Sequence, residues 1–271
     1  MDTPRTLGAW LRLEAARLGR AVWPPACRLC GTPTDGPGTC AGHALDRAEA
    51  RARCGLCARP LAPGITGAGR WPEPPWRPAA VGRRHTAWRR CHACRRAAPG
   101  FGRLLVLGDY PGELRPWVLA LKGQRRPALV EYLAARLAER MADAGWLGVA
   151  TEPLALVPVP CHPLRRLERG FDQVQLLGSA LAPRVGGRLM PVLERKRATP
   201  RQGEPGSGSR SANVAGAFHA RARAARRLGP RVVLLDDVAG TGATLGECAR
   251  ILRRAGVAAV GAVALGRARS S

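Results

Sequence analysis

One segment near the C-terminus constrains the fold more than any other part of the chain. Four apolar residues, Val232–Leu235, predict a short strand that is buried on both faces, and two adjacent carboxylates, Asp236 and Asp237, end it. A loop of small residues, 240–244, follows, and apolar residues then recur at the spacing of an amphipathic helix. A glycine-rich turn from a buried strand into a helix offers free N–H groups to an anion, so this segment predicts an anion site on an α/β sheet.

The two carboxylates before the loop narrow the chemistry of the ligand. They repel a phosphate, but they suit the vicinal hydroxyls of a ribose, or a divalent cation bound to those hydroxyls. Strand, acids and anion loop together therefore predict a site for a ribose 5-phosphate. The loop lacks the Gly-Lys-Ser/Thr of a Walker sequence, and its acids precede the glycines, unlike those of a dinucleotide-binding fingerprint. The alternative is an ordinary strand, turn and helix with an incidental acidic pair.

This segment resembles the phosphoribosyl pyrophosphate (PRPP) signature of type I phosphoribosyltransferases. By that resemblance, Asp236 and Asp237 hold the ribose hydroxyls, and the loop holds the 5-phosphate. The residues of the binding segment are Val238, Ala239, Gly240, Thr241, Gly242, Ala243 and Thr244.

The charge of the chain favours anionic partners. Its 271 residues carry a formal net charge of +25, and only Lys122 and Lys196 among the 44 basic residues are lysine. Such a balance suits nucleic acid or phosphorylated ligands. The same abundance of arginine, alanine, glycine and proline is also typical of a GC-biased genome, in which many arginines are solvated surface residues.

No apolar run in the sequence is long enough to span a bilayer. The segment Leu7–Val22 has apolar residues at helical spacing among arginines, which predicts an amphipathic helix rather than a secretory signal. We therefore expect a cytoplasmic protein. Because that compartment is reducing, the nine cysteines favour metal sites over disulfides.

Seven of the cysteines lie in the first hundred residues and form paired ligand spacings. The pairs are Cys27 and Cys30, Cys40 and His43, Cys54 and Cys57, and Cys91 and Cys94, each separated by two residues. Such spacing lets both side chains reach one tetrahedral ion, so sequential pairing predicts two closed, structural zinc sites. His85 and His92 are alternative ligands to His43. The long gap before Cys91 contains three tryptophans, Trp71, Trp76 and Trp88.

The rest of the chain alternates strands and helices, which predicts an α/β domain with a parallel sheet flanked by helices. The predicted elements are strands at Leu104–Leu107, Leu154–Val159, Val232–Leu235 and Val257–Leu265, helices at Gly112–Lys122, Ala128–Met141 and Phe171–Leu181, and a polar loop at 196–213. We expect two domains, with residues 1–100 forming the N-terminal helix and a small double zinc ribbon, and residues 101–271 forming the α/β domain.

Several segments together resemble the ComF-type phosphoribosyltransferase-like proteins, which join an N-terminal zinc ribbon to a type I phosphoribosyltransferase fold and include a late competence protein of DNA uptake. The matching segments are Gly112–Lys122, Val157–Pro160, Arg169–Gln173, Thr199–Gln202, Arg210–Phe218 and the segment 231–244. The chain departs from the family at His43, where cysteine is more common, at Asp172, where asparagine is usual, and at Pro205–Ser207.

The resemblance implies phosphoribosyl transfer from PRPP and Mg²⁺ to an acceptor that the sequence does not identify. Asp236, Asp237, Lys122 and Arg169 are then the candidate catalytic residues, and Arg165 and Arg166 join Arg169 near the leaving pyrophosphate. The alternative function is a non-catalytic protein that handles single-stranded DNA in natural competence, with a helicase-type protein as a possible partner. An arginine-rich surface with interspersed tryptophans suits unpaired bases. Trp71, Trp76 and Trp88 fit equally well as packing for a small zinc domain.

Overall fold

The computed structural model describes residues 25–34, 38–45, 52–61, 90–147, 152–196 and 214–268. The chain divides into two compact units, Met1–Asp46 and Arg47–Ser271. The second cysteine group therefore belongs to the same unit as the α/β residues, and the expected boundary near residue 100 stays a prediction. Four predicted features lie outside the described residues: the helix Leu7–Val22, the tryptophans Trp71, Trp76 and Trp88, His85, and most of the loop 196–213.

In the first unit, the chain folds into tight turns around its cysteines. The amide of Gly31 donates to the carbonyl oxygen of Cys27 over 2.9 Å, and the amide of Cys27 donates to Thr32 over 2.8 Å. Gly31 has φ +78°, a conformation that costs glycine nothing and lets the turn close. A short 3₁₀ turn, Ala41–His43, then presents the second pair of ligands.

The second unit is built on a five-stranded sheet of order β1-β7-β6-β2-β3, in which every neighbouring pair of strands is parallel. The strands of the unit are β1 (Leu104–Asp109), β2 (Leu154–Pro158), β3 (Gly187–Leu189), β4 (Leu193–Arg195), β5 (Phe218–Ala220), β6 (Arg231–Ala239) and β7 (Ala259–Arg267). Strands β4 and β5 form a separate antiparallel pair. The parallel α/β fold predicted from the alternating pattern is confirmed.

Helices cover the sheet. They are α1 (His92–Arg96), α2 (Leu114–Gly123), α3 (Pro127–Asp143), α4 (Pro163–Arg169), α5 (Gln173–Arg184), α6 (Ala222–Ala225) and α7 (Ala243–Arg254). Alternate residues of β6 serve the two faces of the sheet, as the pleat of a strand requires. Val232 and Leu234 share a core with Leu252 of α7, whereas Leu235 lies against Gly178 of α5.

The central strand β6 is longer than the apolar run predicts, because it continues through both carboxylates to Ala239. Its partner β7 stays paired along this whole length, from Ala259 opposite Arg231 to Arg267 opposite Ala239. Helix α7 begins at Ala243, two residues before the predicted start. The predicted phosphate loop is therefore reduced to Gly240, Thr241 and Gly242 between two regular elements.

Candidate functional site

The carboxylate of Asp237 is the centre of a chain of polar contacts at the carboxyl end of the sheet. Its Oδ2 accepts a hydrogen bond from the amide nitrogen Nε2 of Gln173 over 2.9 Å and lies 3.2 Å from Nζ of Lys122. The guanidinium of Arg169 donates to Oε1 of Gln173 over 3.2 Å. Since Asp237 is only 8% exposed, this carboxylate is held by partners from α2 and α5 rather than by water. Three of the four candidate catalytic residues thus meet here: Asp237, Lys122 and Arg169.

The fourth candidate, Asp236, faces the other side of the sheet because β6 stays regular through the pair. Its Oδ1 accepts the amide of Asp237 over 2.8 Å. Burial, and then the neighbouring Asp237 carboxylate, raise the pKa of Asp236 well above its usual range. Asp236 acts electrostatically on Arg195 of β4 and on Cys248 of α7, which places it among the groups on that face. The two acids are therefore in different surroundings.

The loop after β6 enters α7 through a glycine in the left-handed conformation. Gly242 precedes α7 with φ +89°, and its missing side chain leaves room for the ring of Phe101, which a Cβ would approach to 3.3 Å. The amide of Ala243 donates to Oγ1 of Thr241 over 3.3 Å. The first turn of a helix leaves backbone N–H groups without intrahelical partners, and the first turn of α7 contains no acidic residue to compete with an anion.

The three arginines proposed near the pyrophosphate lie on α4, a short helix that is not among the elements predicted from the sequence. The ring nitrogen Nδ1 of His162 caps this helix by accepting the amide of Leu164 over 3.2 Å. Arg165 and Arg166 are exposed, and Arg169, in the last turn, is half-buried against Gln173. The helix therefore does not bring Arg165, Arg166 and Arg169 together at one point.

A cleft of about 750 Å³ opens between α4 and the β4–β5 pair. Its walls include apolar groups, among them Pro158, Pro160 and Leu193, and basic groups, Arg166 and Arg195. Arg195 lies over the ring of Phe218, with the guanidinium carbon 5.3 Å from the ring centroid. Burial, followed by the charge of Arg165, lowers the pKa of Arg195. Asp172 and Glu194 also line the cleft, so its walls combine apolar, basic and acidic groups.

The eight cysteine and histidine residues of the spacing analysis come together in two groups. They are Cys27, Cys30, Cys40 and His43 in the first group, and Cys54, Cys57, Cys91 and Cys94 in the second, and the ligand atoms within each group lie within 4.8 Å of one another. This is the sequential pairing that the spacing predicts. His92 begins α1 and is exposed, so His43 is the histidine that joins a group.

The separations in both groups fit a tetrahedral ion. Zinc–sulfur bonds of about 2.3 Å place two sulfurs roughly 3.8 Å apart at the tetrahedral angle. The Sγ atoms of Cys30 and Cys40 are 3.8 Å apart, and those of Cys57 and Cys91 are 3.6 Å apart. Nδ1 of His43 lies 3.3 Å from Sγ of Cys40. Both groups can therefore hold a metal ion, and the second is fully buried.

The thiols of the second group differ widely in pKa. The hydrogen bond from Cys57 lowers the pKa of Cys54 to about 4, whereas burial raises the pKa of Cys94 to about 12. The pKa of Cys57 is also raised, because its proton is held by Cys54. A metal ion that binds four thiolates must therefore release protons from this group, which makes binding weaken as the pH falls.

Similar proteins were found among curated bacterial sequences. DNA utilization protein YhgH of Escherichia coli K12 is 31% identical over 171 residues, which cover 63% of this chain and 74% of that protein. The protein of the same name from Salmonella typhi is 32% identical over the same shares. Competence protein F of Haemophilus influenzae Rd is 28% identical over 179 residues, covering 66% of this chain and 78% of that protein. The chain belongs to the ComF family.

Membership of the ComF family confirms the resemblance drawn from the scattered sequence motifs. No protein-family model matches the chain. Within the described part of the chain, every helix is too short or too polar to cross a bilayer. Two of the family-matching segments, Thr199–Gln202 and the stretch 210–213, lie outside the described residues.

Three side chains enter the site or its surroundings without having been assigned a role from the sequence. They are Gln173, which joins Arg169 to Asp237, Arg195, which shares a face with Asp236, and Arg267, which ends β7 beside the phosphate loop. Gln173 lies in the family-matching segment Arg169–Gln173, so the sequence did contain a feature that could have identified it. Nothing in the local sequence separates Arg195 or Arg267 from the other arginines.

Proposed function

We propose that the protein binds PRPP, or a related ribose 5-phosphate, with Mg²⁺ at the carboxyl end of β6 and transfers its phosphoribosyl group to an acceptor. The proposal rests on the carboxylate of Asp237, which Lys122 and Gln173 hold in place. Asp237 lies near the end of β6, shortly before the glycine loop and the start of α7. A fixed carboxylate beside an anion cradle suits a ligand that has hydroxyls at one end and a phosphate at the other.

Each residue of the site then has a role in the transfer. Asp237 orients the ribose hydroxyls, and the amides of residues 240–244 hold the 5-phosphate. As the bond from ribose C1 to pyrophosphate breaks, the acceptor nucleophile bonds to C1 and the pyrophosphate leaves with the bonding electrons. Lys122 contacts Asp237 directly, Arg169 is joined to it through Gln173, and both cations can neutralise charge that develops on the leaving group. Magnesium, when bound with PRPP, supplies further neutralisation.

The acceptor enters through the cleft between α4 and the β4–β5 pair. This cleft borders Pro158, the last residue of β2, and Pro160 just beyond it; β2 is paired with β6, so the occupant of the cleft is close to the proposed ribose site. Arg195 and Arg166 favour an acceptor with negative charge. Asp236 lies on the same face of the sheet as Arg195, and Asp172 and Glu194 are acids that line the cleft itself.

Calorimetry with PRPP and Mg²⁺ tests the proposal. Asp237→Asn removes a charged partner of the ligand and should weaken binding by about 1–3 kcal/mol, the usual loss for a hydrogen bond to a charged group. Asp143→Asn is the matched control, because Asp143 is an exposed acid at the end of α3. Unchanged affinity in folded Asp237→Asn, or no binding by the unaltered protein, would refute the assignment.

We also propose that both cysteine groups hold structural zinc. Four sulfurs, or three sulfurs and one imidazole, form a closed coordination sphere that leaves no position for a substrate. This assignment needs reduced thiols, and the cytoplasm is the compartment that keeps them reduced. The zinc ions then stabilise turns, and the chemistry belongs to the α/β unit.

A second candidate function is the handling of single-stranded DNA. Relatives carry the names Competence protein F and DNA utilization protein, which favours a role in natural competence and DNA uptake. The exposed arginines of α4 and the basic cleft beside it offer groups for phosphates. A helicase-type protein of the uptake machinery is the partner that this role would involve.

Filter binding at several salt concentrations tests the DNA function. Phosphate contacts predict a linear fall of log affinity with log salt, about −0.7 per contact for a single strand. Arg165→Gln together with Arg166→Gln should flatten the slope, whereas Arg136→Gln on α3 should leave it unchanged. Binding that is absent at low salt, or a slope that the α4 variant does not alter, would contradict a DNA site on this helix.

A further inference from the structure

Arg267 is the least exposed charged residue among those described, at 1%. It is the last residue of β7, and its guanidinium is shared between two separate parts of the second unit. Nη1 donates to the carbonyl oxygen of Ala239 over 2.7 Å, and Nε donates to the carbonyl oxygen of Cys57 over 2.8 Å. One planar, rigid group thus joins the backbone of a cysteine pair to the end of β6.

The acceptor at Ala239 is the carbonyl that directly precedes the phosphate loop. The same oxygen also accepts the amide of Ala268 over 2.9 Å, so Arg267 and its neighbour together fix the last peptide of β6. The next residue is Gly240, where the loop begins. The direction in which the loop leaves the strand therefore depends on where Arg267 is held.

The second acceptor is the carbonyl oxygen of Cys57, which is itself a ligand of the second cysteine group and ends the turn that begins at Cys54. A metal bound by both Cys54 and Cys57 fixes that turn, and the turn is already joined to the sheet, because the amide of Leu104 in β1 donates to the carbonyl oxygen of Leu56 over 2.9 Å. Backbone hydrogen bonds shape the turn, since the amide of Ala58 donates to the carbonyl oxygen of Cys54 over 3.0 Å. A metal held by all four thiolates adds a constraint across the group, so it further restrains the Cys57 carbonyl that holds Arg267.

The far side of the loop is also approached from the cysteine group. Phe101 lies seven residues after Cys94 of α1, and its ring lies against Gly242. A Cβ placed on Gly100 would come within 2.8 Å of the carbonyl oxygen of Gly246, so the backbones of Gly100 and of α7 are in close contact. Both ends of the phosphate loop thus rest on segments that lead to the second cysteine group.

We propose that Arg267 is a positioning residue that couples a metal ion in the second cysteine group to the phosphate loop, so that metal binding preorganises the loop for a phosphate. The choice of a phosphorylated ribose as ligand rests on the proposed function, whereas the coupling itself concerns the loop alone. By thermodynamic reciprocity, a ligand on the loop must in turn strengthen metal binding in this group.

Hydrogen exchange measures the coupling without any ribose ligand. Peptides that cover residues 239–245 are compared in the zinc-loaded full-length protein, in the same protein after chelation, and in Cys91→Ser, which disrupts the second group. Loss of metal should speed exchange of the loop amides by at least about fivefold, the lower end of typical coupling between sites. Cys30→Ser, which disrupts the first group, is the control and should leave this exchange unchanged.

The role of Arg267 is tested in the same assay. In the Arg267→Met variant, the loop amides should exchange rapidly even with zinc bound, and chelation should increase their exchange rate only slightly. Arg140→Met is the matched control, because Arg140 is also buried, at 8% exposure, but donates to Leu107 away from the loop. If Arg267→Met does not fold, Arg267→Lys replaces it, since lysine keeps the charge but lacks the fork that reaches both carbonyls.

Two results would overturn the proposal. One is loop exchange in the unaltered protein that does not depend on metal, which requires no variant. The other is an Arg267 variant that keeps the metal-dependent protection of the loop. A PRPP titration of zinc affinity separates this proposal from the proposed function: a protein that binds no PRPP but shows metal-dependent loop exchange refutes the PRPP assignment and retains the coupling.

Discussion

The contact between Lys122 and Asp237 predicts a measurable coupling in a double-mutant cycle. Nζ of Lys122 lies 3.2 Å from Oδ2 of Asp237, and the two side chains are 27% and 11% exposed. At an effective dielectric constant of about 20, Coulomb's law gives roughly 5 kcal/mol for such a pair, but desolvation of both charges offsets most of it. Exposed pairs contribute about 0.2–1 kcal/mol, so we expect a coupling energy of about 1–2 kcal/mol for this partly buried pair.

The cycle uses Asp237→Asn, Lys122→Met and the double variant, with urea unfolding followed by the fluorescence of buried Trp117 and Trp146. Asp237→Asn should cost no more than about 2 kcal/mol, because the amide can still accept from Gln173 and Lys122, partly exposed, can turn to water. Lys122→Met should cost about 1–2 kcal/mol less in the Asp237→Asn background than in the unaltered protein, because the partner that it loses is already absent there. Costs that add to within about 0.3 kcal/mol would refute the pairing, since independent sites behave in that way.

Two further predictions concern the other acid and the metal groups. Burial and Asp237 raise the pKa of Asp236, so its ionisation opposes folding: the associated stability is present at low pH and is lost as the pH rises towards the folded pKa. Asp236→Asn should therefore have a higher Tm than the unaltered protein at pH 7, and a smaller advantage near pH 4; an equal or lower Tm at pH 7 would contradict this. Elemental analysis should find about two zinc ions per chain. A chelator should remove the first before the second, because Cys30 is exposed whereas all ligands of the second group are buried; simultaneous loss would argue against that difference.

The sheet was predictable because buried parallel strands are continuous apolar runs. Leu104–Leu107 and Val232–Leu235 both lie within observed strands. The end of β6 was not predictable, because a strand that carries two carboxylates departs from the apolar pattern, and only its pairing with β7 as far as Ala239 keeps it regular. Helix α4 was missed for a related reason: it buries no residue, so it has no apolar face to detect.

The composition of the site was partly predictable, and its contacts were not. Spacing alone placed the eight metal-ligand candidates in two groups, because two residues between ligands fix a local turn. Gln173 and Asp237, in contrast, are 64 positions apart, and their hydrogen bond exists only because α5 packs beside β6. Lys122 could be singled out as one of two lysines, but its partner could be named only from the fold.

The arginines of this protein show why net charge is a poor guide to its ligands. Arg267 and Arg140 are buried and donate hydrogen bonds to backbone carbonyl oxygens. Arg53 forms an ion pair with Asp109 over 2.7 Å. These charges contribute to the total of +25 but offer little to a polyanion. Arg165 and Arg166, on the exposed helix α4, do offer groups to one. A nucleic-acid function must therefore be tested by comparing the salt dependence of DNA affinity between α4 variants and the unaltered protein. The salt dependence of the unaltered protein alone does not distinguish buried arginines from those that bind DNA.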